Sequence, residues 1–311
     1  YTLSLHDALP IFHAQGDTET ILLGWLEWGE RVVERLRGMF AFAIHDARTH
    51  TLFLARDRLG VKPLHWAQLP DGTVAFASEI KGLLAHPDLP RDLDPTAVED
   101  YFALGYVPDP RSLLAAVHKL PAAHTLTIQR GRPVPRPRRY WDVAFEPRLK
   151  GSAEELAAEL VERVRESVRL RMIADVPLGA FLSGGVDSSA VVAMMAGLSA
   201  QPVRTCTIGF DVAALDETAY ARRIANRYGT DHRERLVSPD DFSAIDTLVA
   251  AYDEPFADAS ALPTFRVCQL ARETVTVALS GDGADEAFAG YRRYALHMVE
   301  QRGRDLLPEA L

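Results

Sequence analysis

At 311 residues, 48% of them hydrophobic and 25% charged, the chain is long enough for two domains and has the balance of a globular protein, not a disordered or fibrous one. Its net charge of -9 argues against a nucleic-acid binder, which needs a basic face, and no uncharged apolar run approaches the ~18 residues that span a bilayer. Only Cys206 and Cys268 occur, with neither metal-ligand spacing nor a disulfide framework, which suits a reducing cytoplasm.

The opening "YTLSLHDALPI" has no Met and none of the basic n-region and unbroken apolar run of a signal peptide. It reads as the conceptual translation of a common short-read sequencing adaptor. Residues 1–11 are therefore expected to be foreign, with native sequence starting at Phe12. Residues 13–86 read as short β segments with a helix near the start. In "FAFAIHDARTHTLFLARD" apolar Phe42 and Ile44 alternate with His45 and Asp46, the chain turns through Ala47-Arg48-Thr49, and Leu52-Phe53-Leu54 resumes the pattern, which predicts a hairpin. "GTVAFASE" follows a Pro70-Asp71-Gly72 turn and reads as another strand. Local turns between these segments predict an antiparallel sheet.

"RGRPVPRPRRYWDVAFEPRLKGS" is rich in Pro and Arg and reads as an extended connector, because each Pro removes a backbone donor and disfavours helix before it. A domain boundary is expected near 145–152, giving one domain over 12–145 and a second over 150–311. The second opens on a capping box, Ser152 with Glu155, and a helix carrying Leu156, Leu160, Val164 and Val168 on one face. Strand-then-helix pairs follow: "LGAFLS" before "SSAVVAMMAG", "VRTCTIGF" before "DETAYARRIANRYG", and "TVTVALS" before "ADEAFAGYRRYALHMVE". That alternation predicts a parallel α/β sheet with ligands at the carboxyl ends of its strands.

The sharpest motif is "FLSGGVDSS", residues 181–189, between a strand and a helix. Ser183, Gly184 and Gly185 can offer backbone N–H groups to an anion beside the helix N-terminus, and Asp187 suits a metal better than a phosphate. No Walker A pattern occurs, so a different phosphate chemistry is implied. The plainer alternative is a Ser-Gly-Gly turn that merely joins strand to helix. "LSGDGADEAFAGY", residues 279–291, places Asp282, Asp285 and Glu286 at the same expected sheet edge. Acids beside a phosphate cradle call for a cation, so Mg2+ is inferred; a glycine-rich helix start with solvated acids is the alternative. "YDEPFADASALPTF" offers Asp253, Glu254 and Asp258 either to the nucleotide site or to an ordinary exposed loop.

On these residues the chain resembles the glutamine-hydrolysing asparagine synthetases from about residue 14 to its last residue. "SGGVDSS" is similar to that family's pyrophosphate loop, "TIGFD" and "LDETAYARRIANRYGTDHRE" to its base and ribose segment, and "SGDGADE" to its SG[DE]GxDE motif. "GDTETIL", "RGMFAFAIHD", "ARDRLGVKPL" and "ASEIKGLL" resemble the C-terminal part of a class II glutaminase domain, and "FAGYRRY" is similar to the exosortase- and exopolysaccharide-associated amidotransferases. The resemblance implies a truncated Ntn-hydrolase-type glutaminase domain of antiparallel sheets, then a parallel-sheet α/β PP-loop domain. It implies that Asp17 holds the α-amino group of glutamine, and that Leu182, Ile208, Ser280 and Gly281 contact ATP. Ser183, Gly184, Gly185, Asp187, Ser188 and Ser189 would hold its pyrophosphate, Asp187 and Asp285 would hold Mg2+, and Asp282 would serve acyl-adenylate formation. The implied reaction releases ammonia from glutamine, adenylates the side-chain carboxylate of aspartate with ATP, and displaces AMP with ammonia to give asparagine. Implied partners are glutamine, aspartate or another carboxylate acceptor, and ATP, with no nucleic acid or membrane; a homodimer is compatible.

Departures bound the resemblance. The chain has no N-terminal Cys, no Arg-Gly-Pro-Asp segment and no Asn-Gly-Glu strand, and Cys206 sits mid-strand, where a packed structural thiol is expected. Ala284 and Ala289 stand where the motif commonly carries glycines, and Leu311 precedes the family's usual C-terminus with its catalytic Lys. A fragment that binds ATP weakly at best and hydrolyses no glutamine is expected. Another carboxylate acceptor, or a non-catalytic nucleotide-binding remnant, remains open.

Overall fold

The computed structural model describes residues 16–146, 148–212, 216–238 and 242–305; the stretch 1–11 lies outside them. The chain divides into two compact units. One runs to Arg148 and takes back Val249–Asp258; the other holds Leu149–Leu248 and everything from Ala259 on.

The first unit opens with α1 (Asp17–Trp28) and α2 (Val32–Arg35), followed by β1 (Ala41–Asp46), β2 (Thr51–Arg56), β3 (His65–Gln68) and β4 (Val74–Ala77). α3 (Ile80–Leu84), α4 (Pro95–Leu104), β5 (Val117–Lys119), β6 (His124–Gln129) and β7 (Arg138–Arg139) complete its leading stretch. β1 and β2 form the expected hairpin, with Ile44 opposite Phe53. All pairings in this unit are antiparallel, in sheets of order β1-β2-β6-β7 and β4-β3-β5. Phe53, Val32 and Val33 are buried under Trp25, whose ring lies 4.9 Å from that of Phe53. The connector, expected to be extended, makes one short edge pairing through Arg138–Arg139, β7 on β6.

Loop 57–62 is held by charge. The buried Asp57 carboxylate accepts N–H bonds from Leu59, Val61 and Lys62 at 2.9–3.1 Å and from Phe40 at 3.3 Å. Arg56 donates to the carbonyls of Gly60, Lys62 and Leu120. A turn that would leave polar backbone groups unpaired is thereby satisfied from its own sequence.

Residues 249–258 correct one reading: Asp253 and Glu254 are no ordinary exposed loop. Asp253 accepts from Ile80 N at 2.5 Å and Glu254 from Leu113 N at 2.6 Å. Lys119 Nζ pairs with Glu254 at 2.5 Å, both side chains about 14% exposed or less. Buried backbone donors and a buried ammonium require carboxylate partners, and this acidic stretch supplies them.

The second unit comprises α5 (Ala153–Arg171), β8 (Leu178–Phe181), α6 (Val186–Leu198), β9 (Arg204–Phe210), α7 (Thr218–Tyr228) and β10 (Asp231–Val237), then α8 (Ile245–Ala251), whose last turn belongs to the first unit. α9 (Ala261–Arg272), β11 (Val277–Leu279), α10 (Ala284–Phe288) and α11 (Arg292–Asp305) follow. The capping box at Ser152 and Glu155 is formed in both directions. The sheet has order β10-β9-β8-β11 and every pairing is parallel, as the alternation predicted. Its core gathers Val168 of α5, Ala180 and Leu182 around β8, Val192 and Met195 of α6, and Ala221 and Ala225 of α7.

One expectation changes here, and one strand was not anticipated. The stretch expected as one helix from Ala284 breaks at Ala289-Gly290 into α10 and α11, because Ala289 adopts φ 56°. "DHRERLV" carries no apolar alternation, yet forms β10 at the sheet's edge, where charged residues are tolerated.

Candidate functional site

The strand-to-helix loops of the second unit converge on a cavity of about 590 Å³ at the carboxyl ends of β8, β9 and β11. Ten of the anticipated residues stand on its wall: Leu182, Ser183, Gly185, Asp187, Ser188, Ile208, Ser280, Gly281, Asp282 and Asp285. Gly184 and Ser189 belong to the same loop but not to the wall. Ser189 Oγ is buried without a hydrogen-bond partner. Asp17 is elsewhere, exposed in the first turn of α1, where an acid also favours the helix dipole.

The loop 183–189 is built by hydroxyls and glycines. Ser183 Oγ lies 2.9 Å from Ser188 Oγ and accepts from Gly185 N at 3.2 Å, while Ser188 Oγ donates to the Gly185 carbonyl at 3.3 Å. Gly184 has φ 84°, and a Cβ there would come within 2.5 Å of Tyr220, so only glycine lets the loop pass α7. Gly185 caps α6 without side-chain help, which leaves the positive end of a 13-residue helix directed by backbone alone. Thr207 Oγ1 donates to the Leu182 carbonyl and ties the loop's root to β9.

The second loop meets the first at Gly281. A Cβ on Gly281 would stand 2.7 Å from Ser188 N and 2.9 Å from Asp187 Cβ, so the two motifs touch through bare backbone. Ser280 Oγ donates to Asp282 Oδ2 at 3.0 Å and accepts from Asp282 N at 3.2 Å, which fixes the acid beside that junction. Beyond it, Tyr291 Oη donates to Glu286 Oε1 at 2.7 Å. That bond holds the Glu286 carboxyl below the usual range and raises the Tyr291 phenol. Burial pushes the Cys206 thiol up, and the thiol packs with Leu270 and Val275 as the structural thiol expected.

Sequence reasoning named Leu182 and Ile208 but missed the rest of the apolar wall. Phe181 and Phe210 close the ends of β8 and β9, and α9 contributes Pro263, Thr264 and Val267. The β-strand ends were legible as positions, but α9 was hidden behind the prolines of "EPFADASALP". The wall therefore pairs an apolar slot with a polar floor of N–H groups, hydroxyls and carboxylates, a combination suited to a nucleotide.

Metal binding has a narrower fit. Among the described residues no group of three or more His, Cys, Asp or Glu side chains converges as a metal cage. A Mg2+ ion held by one or two carboxylates together with phosphate oxygens agrees with this donor set, whereas an all-protein cage does not. Among the described residues no helix is long and apolar enough to cross a membrane.

Comparison with known proteins agrees with this geometry. Residues 159–310 match the family described as asparagine synthase, and residues 3–141 match the glutamine amidotransferase domain, a span that takes in residues 3–11. The chain is 39% identical over 281 residues to a putative asparagine synthetase [glutamine-hydrolyzing] 2 of Methanocaldococcus jannaschii, covering 88% of this chain and 54% of that protein. It is 39% identical over 307 residues to a putative asparagine synthetase [glutamine-hydrolyzing] of Mycobacterium bovis, covering 97% and 47%. Asparagine synthetase [glutamine-hydrolyzing] 1 of Bacillus subtilis is 35% identical over 285 residues, covering 91% and 44%. The chain thus spans about half the length of the curated relatives it matches. It carries a glutamine amidotransferase domain followed by an asparagine synthase domain.

Proposed function

We propose that this chain is the part of a glutamine-dependent amidotransferase that carries its nucleotide site, and that the reaction amidates the side-chain carboxylate of aspartate with ATP. The observation that carries the reading is the junction at Gly281, where the Ser183–Ser189 loop and the Ser280–Asp285 loop share one cavity wall at the strand ends.

The residues divide the work along that wall. Phe181, Ile208 and Phe210 pack the base, and the backbone of Leu182 and Gly281 borders the sugar and phosphates. Ser183, Gly185 and Ser188 receive the pyrophosphate at the N-terminus of α6, where dipole and N–H groups favour an anion. Asp187 and Asp285 would hold Mg2+, which offsets charge as pyrophosphate departs. Asp282, fixed by Ser280, borders the carboxylate being activated. A carboxylate is a poor electrophile; adenylation gives it AMP as a leaving group, and ammonia then displaces it. In the first unit Asp17 holds the α-amino group of glutamine.

The test is ATP–pyrophosphate exchange by the product of the complete reading frame. Exchange that depends on aspartate is expected. Exchange that depends strictly on another carboxylate would replace aspartate as the acceptor, and absence of exchange with every carboxylate would end the reading.

A further inference from the structure

Glu217 stands on the cavity wall and takes no part in the work divided above. It is the N-cap residue of α7, yet its side chain makes no capping bond. That task falls to the neighbouring Asp216, which accepts from Thr218 N at 3.2 Å and from Thr218 Oγ1 at 2.9 Å. The Glu217 carbonyl accepts from Tyr220 N and Ala221 N at 3.0 and 3.1 Å, so its main chain is fixed while its carboxylate has no partner among the described residues. Two glycines bracket it. A Cβ on Gly209 would stand 2.5 Å from Thr218 Cγ2 and 2.7 Å from Asp216 Oδ1, which seats the start of α7 against the end of β9, between Ile208 and Phe210. A Cβ on Gly184 would stand 2.5 Å from Tyr220 Cβ and 2.6 Å from Ala221 N, which seats the same turn against the pyrophosphate loop. Glu217 is thereby held between the side chains assigned to the base and the loop assigned to the phosphates. The part of a nucleotide that joins those two is its ribose.

We propose that Glu217 binds the ribose of the nucleotide, accepting a hydrogen bond from each of its vicinal hydroxyls, and so selects ribonucleotides over deoxyribonucleotides. This rests on the nucleotide-site reading above. The chemistry of the wall narrows the ligand. Among its described residues the wall has no Lys, Arg or His, so a carboxylate there is satisfied only by water or by ligand. A phosphate would be repelled. A pair of hydroxyls supplies two neutral donors to a group whose two oxygens only accept, and a hydrogen bond to an ionised acceptor is stronger than one between neutral groups. Carboxylates at the strand ends of doubly wound sheets take a ribose hydroxyl in the same manner. Asp282 and Asp285 follow β11, on the far side of β8 from β9, and so leave the sugar to Glu217.

The experiment measures pyrophosphate exchange by the product of the complete reading frame with ATP, 2′-deoxy-ATP, 3′-deoxy-ATP and inosine triphosphate. Wild type is expected to favour ATP over each deoxynucleotide about 10- to 100-fold in kcat/KM, the range of one hydrogen bond to a charged group. Glu217→Ala should raise the KM for ATP with kcat little changed, and shrink the preference over the deoxynucleotides to about twofold or less, as a thermodynamic cycle requires when both partners of one bond are removed. Glu217→Gln keeps the volume and one accepting oxygen, so it should retain part of the preference. Because the carboxylate has no protein partner, both variants should melt with the wild type. A wild type that uses ATP and the deoxynucleotides alike, or a Glu217→Ala protein that loses activity with all nucleotides in equal proportion, would overturn the assignment. Equal loss restored by added Mg2+ would make Glu217 a cation ligand, and a lost preference for ATP over inosine triphosphate alone would assign it to the base amine; either result also overturns it. Exchange with ATP that is indifferent to the sugar removes only this assignment, whereas absence of exchange with every nucleotide refutes the nucleotide-site reading itself.

Discussion

Replacing Gly281 by alanine tests the junction on which the site rests. The new methyl would stand 2.7 Å from Ser188 N and 2.9 Å from Asp187 Cβ, and ordinary contact begins only at 3.4 Å. Both neighbours belong to the first turn of α6, so backbone must move, not a flexible side chain. Overpacking of this kind costs about 1–3 kcal/mol, which corresponds to a melting temperature lower by roughly 2–12 °C at about 2–4 °C per kcal/mol. Because the loops that separate are the two that share the cavity wall, exchange activity should fall more steeply, about 100-fold for a displacement approaching 1 Å. Gly197→Ala in the same helix is the control: nothing lies within 4 Å of its Cβ position, and the change should be neutral or stabilise by about 0.5–1 kcal/mol. Differential scanning calorimetry and pyrophosphate exchange read both effects. A Gly281→Ala protein with wild-type melting and wild-type exchange refutes the claim that the two motifs meet through bare backbone.

Two further outcomes concern stability. Lys119→Met strands the Glu254 carboxylate with one backbone donor, and the loss should be about 3–5 kcal/mol in urea unfolding of the first unit. The double change Lys119→Met, Glu254→Leu should recover part of it, and a double variant as unstable as the sum of the singles would contradict the pairing. Burial also holds the buried His65 below the ordinary histidine value. The unfolded state then binds a proton that the folded state refuses, so stability should fall as pH drops below about 6.5. Urea midpoints at about pH 7.5 and 5.5 should differ less in His65→Gln than in the wild type, and equal differences would remove His65 as the source.

What the sequence disclosed follows from how local each signal is. The hairpin at 41–56 and the capping box at Ser152 are written in neighbouring residues, and both stand. The strand-loop-helix around Ser183 is equally local, and its position at the strand ends followed from the alternation of strand and helix. β10 was not legible because an edge strand with charged side chains has no apolar period to detect. Asp253 and Glu254 were misplaced for another reason. Their partners, Ile80, Leu113 and Lys119, lie more than 130 residues away, and no local pattern encodes that pairing. The break at Ala289 went unseen because alanine is a strong helix former; packing of Gly290 against Asp285 overrides that preference.

The return of Val249–Asp258 to the first unit has a consequence for synthesis on the ribosome. A nascent chain that has emerged as far as Arg148 still lacks the acids that satisfy Ile80, Leu113 and Lys119. At about 5–20 residues per second, roughly 5–20 s pass before the missing segment is made. During that interval the leading half waits with a buried ammonium and open backbone donors, while a sheet of different topology forms behind it. The order of translation therefore does not match the order of completion: the unit that begins first can be finished only after the 100 residues Leu149–Leu248 of its successor have been made.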